Sequence, residues 1–314
     1  MKILILGAGG VGGYFGGRLV ENKADVTFLV RPKRAEALKR DGLRIKSRFG
    51  NARLEVKCVT QDEVRGGYDL VLFTAKAYDL QSAIDAIAPA VDAKTRVMPF
   101  LNGIAHYEVL DKRFGRERVL GGVAYIGTKL SPSGEVDHFN EFHRIAFGPR
   151  APAQAAVCEA FAAVLKGVNF DWKLEPKIEQ AVWDKWVLLA TLAGMTCLMR
   201  ATVGDIVADE AGERRVLTLL GENAGIAKAE GFATPEAVLA NHRAILTKKG
   251  STFSASMLHD IENGGPAEGE HILGSLLGYA RKHSLAAPTL EMAVTHVRAY
   301  ENRRRREKGL KPTG

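Results

Sequence analysis

Three glycines near the amino terminus offer the first chemistry this chain can do. Gly7, Gly9 and Gly12 stand at the spacing G-x-G-x-x-G, directly after the apolar run Ile3-Leu4-Ile5-Leu6. That spacing permits a tight turn, close backbone approach to a pyrophosphate, and close packing of a helix on a strand. The turn Gly7-Ala8-Gly9-Gly10-Val11-Gly12 is therefore expected to hold the phosphates of a dinucleotide. The helix that follows, through Arg18 and Leu19, would aim its amino-terminal amides at them. An NAD site places an acidic residue about 20 residues beyond the glycines, on the ribose 2′-hydroxyl. Here the strand Val26–Val30 ends instead at Arg31-Pro32-Lys33-Arg34. A guanidinium matches phosphate in a bidentate fork, so the expected cofactor is NADPH, with Arg31 on the 2′-phosphate. A solvated basic loop is the alternative.

The elements that must position these groups follow in order. Tyr68–Thr74 reads as a buried strand ending at Ala75-Lys76-Ala77, beyond the carboxyl end of a strand, where open α/β sheets take ligands. Residues 96–101 form another strand, closed by Asn102-Gly103, with further strands at 119–126, 144–147 and 168–172. Helical patterns at 34–40, 80–90 and 152–165 lie between them, and 43–59 alternates like extended chain. Together they describe an α/β fold, a Rossmann-type doubly wound sheet with an antiparallel edge. From Pro176 onward the pattern is helical, over 178–199, 210–230, 236–248, 267–283 and 289–306. Two domains are expected: an NADP-binding one at 1–173 and an all-α one at 174–314.

Composition narrows the function classes. The 314 residues are 46% hydrophobic and 25% charged, which argues against wholesale disorder. The net charge of +8 is partly held in the tail, Arg303–Arg306, Lys308 and Lys311, and such a run most often forms a solvated helix end. Nucleic acid is not an expected partner. Cys58, Cys158 and Cys197 are odd in number and scattered, so neither a disulfide framework nor a metal site is expected. The chain enters its first strand at once, without a signal peptide, and no apolar run reaches membrane-spanning length. A cytoplasmic protein that does not bind membranes is the expectation, as a monomer or a homodimer.

With these residues assembled, the chain resembles the ketopantoate reductase family (2-dehydropantoate 2-reductase) along nearly its whole length. The resemblance is carried by GAGGVG at Gly7–Gly12, Arg31, TAKA around Lys76, LNG around Asn102 and VWDKW around Lys185. SASMLHDI from Ser254, followed by Glu268 twelve residues after Ser256, completes the set. It implies NADPH-dependent reduction of a small 2-oxo acid, 2-dehydropantoate to pantoate in pantothenate biosynthesis. Lys185 would be the general acid, and Glu268 would contact the substrate hydroxyl. Ser256 would help hold the substrate, Asn102 would lie near nicotinamide and substrate, and Lys76 near the adenosine end beside Arg31. Elementary chemistry agrees, because hydride delivery to a ketone builds negative charge on oxygen that an ammonium can stabilise and protonate. Trp183, Trp186 and Leu188 around Lys185 would lower its pKa by desolvation. On its own, a lysine among apolar helical residues more often snorkels to the surface.

The family has asparagines four and eight residues after the lysine, on one helix face; here Leu189 and Ala193 stand there. An apolar pocket wall would replace amides, with Thr196 the nearest polar substitute. These substitutions favour a paralogous reductase of a more apolar 2-oxo acid over the ketopantoate enzyme. A non-catalytic NADPH-binding sensor is the third possibility, and the presence of both Lys185 and Glu268 argues against it.

Overall fold

The apolar amino-terminal run is β1 (Lys2–Leu6). Ile3, Leu4 and Ile5 are all fully buried. Successive side chains point to opposite faces of a strand, so both faces of the sheet are covered. The computed structural model describes residues 1–310, and Lys311 of the basic tail lies outside the described residues. The chain divides into two units: residues 1–101 with 106–181, and residues 102–105 with the chain from Val182 onward.

In the first unit, β1 is followed by α1 (Gly10–Glu21), β2 (Asp25–Leu29), α2 (Pro32–Asp41), β3 (Leu43–Lys46), β4 (Ala52–Leu54) and β5 (Lys57–Val59). Then come β6 (Leu70–Phe73), α3 (Leu80–Ile87), β7 (Arg96–Pro99), α4 (Ala105–Phe114), β8 (Gly121–Leu130), β9 (Val136–Gly148), α5 (Ala155–Val164) and β10 (Asp171–Leu174). One sheet has the order β5-β2-β1-β6-β7, and all its pairings are parallel. This is the doubly wound sheet expected from the sequence.

The antiparallel edge is placed differently. The remaining strands, β3 and β4 among them, form a second sheet, β10-β9-β3-β4, with β8 antiparallel to β9. β9 is 13 residues long, far beyond the expected 144–147. Its first half, Asp137, His138, Asn140, Glu141 and His143, is polar and carries no apolar run to announce a strand. A tight turn makes it pair, with Ser131 N–H donating to the Glu135 carbonyl at 2.8 Å.

The second unit is helical: most of α6 (Ile178–Met199), α7 (Val203–Ile206), α8 (Glu210–Ala229), α9 (Glu236–Leu246), α10 (Ser256–Glu262), a π-helical turn Glu270–Gly274, α11 (Ser275–Lys282) and α12 (Pro288–Glu307). Trp186, Leu219, Leu273, Leu276 and Leu290 anchor its core. The boundary falls after Ala181, inside α6, rather than at 174. The cause is local: a Cβ on Gly121 would stand 2.5 Å from Ile178 Cγ2, and Glu179 pairs with both Arg116 and Arg150. The first turn of α6 thereby stays with the first unit.

Against the expectation that no apolar run is long enough, α6 could cross a membrane by length and composition; 67% of its apolar window is buried inside the protein. Core burial accounts for that apolarity.

Candidate active site

The glycine turn is built as its spacing predicts. Gly7 has φ +93°, a conformation that side-chain-bearing residues rarely adopt. A Cβ on Gly12 would stand 2.3 Å from the Gly7 carbonyl oxygen and 2.4 Å from Thr74 Oγ1, so α1 packs on the strand ends only because Gly12 has none. Gly9, the N-cap of α1, differs: a Cβ there would meet nothing within 4 Å. The protein's own packing does not demand glycine at Gly9, whereas close approach of a ligand would. The first turn of α1 has no acidic residue, and its leading amides have no helical carbonyl to bond. This open cradle fits a pyrophosphate.

The basic groups behind it have separate tasks. Arg31 caps α2 and lies largely in solvent, its side chain 80% exposed, with Nη2 donating to Asp79 Oδ2 at 3.1 Å. Lys76 caps the short 3₁₀ turn that carries Asp79, so the loops after β2 and β6 are joined at their tips. Arg34 is half-buried and structural. Its two terminal nitrogens donate to the carbonyls of Ala8 and Gly134, each at 2.9 Å, which fixes the glycine turn from behind.

A second set of groups gathers in the helical unit. Lys185 Nζ donates to Asn102 Oδ1 at 3.0 Å. Desolvation pulls Lys185 down to about 8, while Glu268 acts in the opposite direction. The Glu268 side chain is buried, with the residue only 7% exposed. The next residue of α6, Trp186, donates its indole N–H to the Ile272 carbonyl at 2.8 Å, tying α6 to the π turn that follows Glu268. Trp183 stacks on Phe232, so the two tryptophans face the core.

His271 completes the set and was not anticipated from the sequence. Its ring hydrogen-bonds the backbone of Asn102, and burial lowers its pKa against the opposing pull of Glu268. Gly103, at φ +75°, sits so close that a Cβ would be 2.9 Å from the His271 carbonyl oxygen. The available signal was spacing: His271 follows Glu268 by three residues, one turn along a helical pattern. An ammonium, an amide, a carboxylate and an imidazole thus converge from three chain segments.

The remaining expected site residues scatter. Ser256 is exposed at the start of α10, and Leu189 is half-buried one turn beyond Lys185. Two of them lie deep in the helical unit. Ala193 is 3% exposed and belongs to the apolar core. Thr196 is fully buried; its hydroxyl donates to the Leu192 carbonyl at 2.7 Å and accepts from the Ala255 amide at 3.4 Å. Thr196 therefore braces the start of α10. Among the described residues, no group of three or more His, Cys, Asp and Glu side chains could hold a metal ion.

A parallel sheet with a phosphate cradle, joined in one chain to a desolvated lysine, defines a nicotinamide-dependent oxidoreductase. The chain belongs to the ketopantoate reductase family: residues 3–152 match Ketopantoate reductase PanE/ApbA, and 177–301 match its C-terminal counterpart. It is 39% identical to the uncharacterized oxidoreductase YkpB of Bacillus subtilis (strain 168), over 96% of this chain and 99% of that one. Among solved structures it resembles 2-dehydropantoate 2-reductase from Geobacter metallireducens GS-15, with a TM-score of 0.86, 29% identity, and coverage of 95% and 99% of the two chains. It shares its fold with D-mandelate dehydrogenase, solved with NADH and anilino(oxo)acetate, at a TM-score of 0.87 and 22% identity, covering 97% and 99%.

Proposed function

We propose that this oxidoreductase uses NADPH to reduce a 2-oxo acid to the 2-hydroxy acid, with 2-dehydropantoate as the first substrate to test. The observation that carries the proposal is the contact of Lys185 with Asn102 beside buried Glu268. When bound, the nicotinamide supplies the hydride. Lys185, pulled down to about 8, holds a proton it can release near neutral pH to an oxygen that is gaining charge. Asn102 fixes the direction of the ammonium, and His271 fixes the backbone of Asn102. Glu268 would accept a hydrogen bond from a substrate hydroxyl, and Ser256 would assist in holding the acid. Arg31 and Lys76, on adjoining loop tips, would receive the 2′-phosphate, which supports NADPH over NADH.

One observation favours a second reading within the same chemistry. With Ala193 and Thr196 withdrawn into the core, Leu189 is what remains near Lys185 at the family's asparagine positions, and it cannot pair a polar substrate group. A more apolar 2-oxo acid would suit it. The deciding experiment follows NADPH absorbance against a panel of 2-oxo acids that includes 2-dehydropantoate. Fastest turnover of 2-dehydropantoate upholds the first reading, and preference for an apolar acid upholds the second. Folded protein that binds NADPH and oxidises it with no member of the panel would refute both.

A further inference from the structure

Glu268 sits on a connector, Gly264 to Glu270, that runs from α10 to the π turn, and α12 grips this connector on both sides of the carboxylate. Before Glu268, the Tyr300 hydroxyl donates to the Gly265 carbonyl at 2.7 Å and Lys308 Nζ to the Gly264 carbonyl at 3.3 Å. The Ala267 amide donates to Glu301 Oε1 at 2.7 Å. After Glu268, a Cβ on Gly269 would stand 2.3 Å from Val297 Cγ1, and Arg298 donates to both carboxylate oxygens of Glu270. Glu301 is itself held. Its Oε2 accepts from Nε and Nη2 of Arg304 at 3.2 and 3.0 Å, and the two side chains are only 16% and 12% exposed.

The connector's own backbone bonds tie Gly264 and Gly265 to the end of α10 and the Glu268 carbonyl to the π turn, so between them the Ala267 amide is held by the Glu301 carboxylate. The orientation of the buried carboxylate on the next residue then depends in part on a group outside the connector. A bond from a backbone amide to a carboxylate is charge-assisted and among the stronger kinds available. We infer that Glu301 is a positioning residue for Glu268, fixing through the Ala267 amide the backbone that presents the Glu268 carboxylate. Part of the basic tail gains a task in the same way, since Arg304 orients Glu301 and Lys308 holds Gly264. The inference rests on Glu268 as a substrate-contacting group.

The test uses full-length protein, NADPH and 2-dehydropantoate, together with amide hydrogen exchange. E301A is expected to lose about 10- to 100-fold in kcat/KM for the oxo acid, the scale of a small misplacement of a reacting group. Its affinity for NADPH and its circular dichroism should match wild type. E301Q keeps an oxygen to accept the Ala267 amide but gives up the charge and the Arg304 pair, and its kcat/KM should lie clearly between those of wild type and E301A. In an E268Q background, E301A should cost little more, because the group it positions is gone. Residues 264–270 should exchange at least about tenfold faster in E301A.

Equal losses in E301A and E301Q, a full additive cost in the E268Q background, or unchanged exchange would overturn the inference. If E301A does not fold, E301D, whose carboxylate is drawn back by one methylene from the Ala267 amide, carries the same test. It should cost about two- to tenfold in the wild-type background and little in E268Q. Should E268Q itself retain full activity, the role of Glu268 fails, whatever Glu301 does. A loss in E268Q with none in E301A defeats this inference alone. Exchange is measured without substrate, so it decides the case even if 2-dehydropantoate is not turned over.

Discussion

In the first unit, the groups that would face a ligand are largely backbone. The glycine turn and the first amides of α1 come from one short stretch, Gly7–Gly12, and depend on the absence of side chains. In the second unit they are side chains: Lys185 from α6, Asn102 from a distant tetrapeptide, and Glu268 and His271 from around the π turn. Backbone built from adjacent residues is fixed by local sequence, whereas a side-chain cluster assembled across 166 residues of chain depends on tertiary packing (102 to 268). Damage should therefore separate cleanly, with losses in turnover on one side and losses in cofactor affinity on the other.

The largest expected effect is on turnover. Lys185→Ala should lower kcat roughly 10²- to 10⁴-fold, the usual worth of a general acid, while NADPH affinity stays normal. Wild-type turnover in this variant would remove Lys185 from the mechanism. The same group sets a pH limb. Reduction needs the ammonium form, so kcat/KM for reduction should fall as pH rises through about 8, and oxidation of the hydroxy acid should gain over the same interval. Stability moves with a defined sign as well. The folded pKa lies below the unfolded 10.5, so the unfolded chain binds more protons between those values. This lysine's contribution to stability therefore rises with pH from about 8 to 10.5 and is lost as pH falls.

On the cofactor side, Arg31→Ala should weaken NADPH binding by about 1.5–3 kcal/mol and leave NADH nearly unaffected, as titration of each cofactor would show. Equal losses for both would detach Arg31 from the 2′-phosphate. The smallest expected effect concerns specificity. Leu189→Asn should shift the ratio of kcat/KM for 2-dehydropantoate over an unbranched apolar 2-oxo acid upward by about 1–2 kcal/mol, because an amide facing an apolar ligand goes unpaired. An unchanged ratio in a folded variant would show that Leu189 does not touch substrate.

Legibility in the sequence follows the same division. The strand, turn and helix of residues 2–21 and the parallel sheet were readable because burial on both faces leaves continuous apolar runs. The helices of the second unit were readable from periodicity, except α7 and α10, whose four and seven residues are too few to show a period. β9 was cut short because its polar half is held by pairing with β8. Helical spacing placed Ala193 and Thr196 near the face of Lys185, and that geometry is sound. It cannot tell how deeply each position sits, and packing of α6 against the other helices buried both. His271 escaped notice because its importance lies in a bond to the Asn102 backbone, 169 residues earlier in the chain (102 to 271).

The tetrapeptide Asn102–Ala105 has a consequence for modularity. It lies between two stretches of the first unit, yet it counts with the second. A fragment cut at Val182, or a hybrid made by grafting the carboxyl-terminal half onto another reductase's sheet, would leave Asn102 behind. Lys185 would keep its dry surroundings and lose the amide oxygen at 3.0 Å that accepts its hydrogen bond. Removing a hydrogen-bond acceptor from a desolvated ammonium is costly. Recombination within this family is therefore expected to succeed only when the loop after the β7 strand travels with the helices, so that two separate pieces of chain are inherited as one.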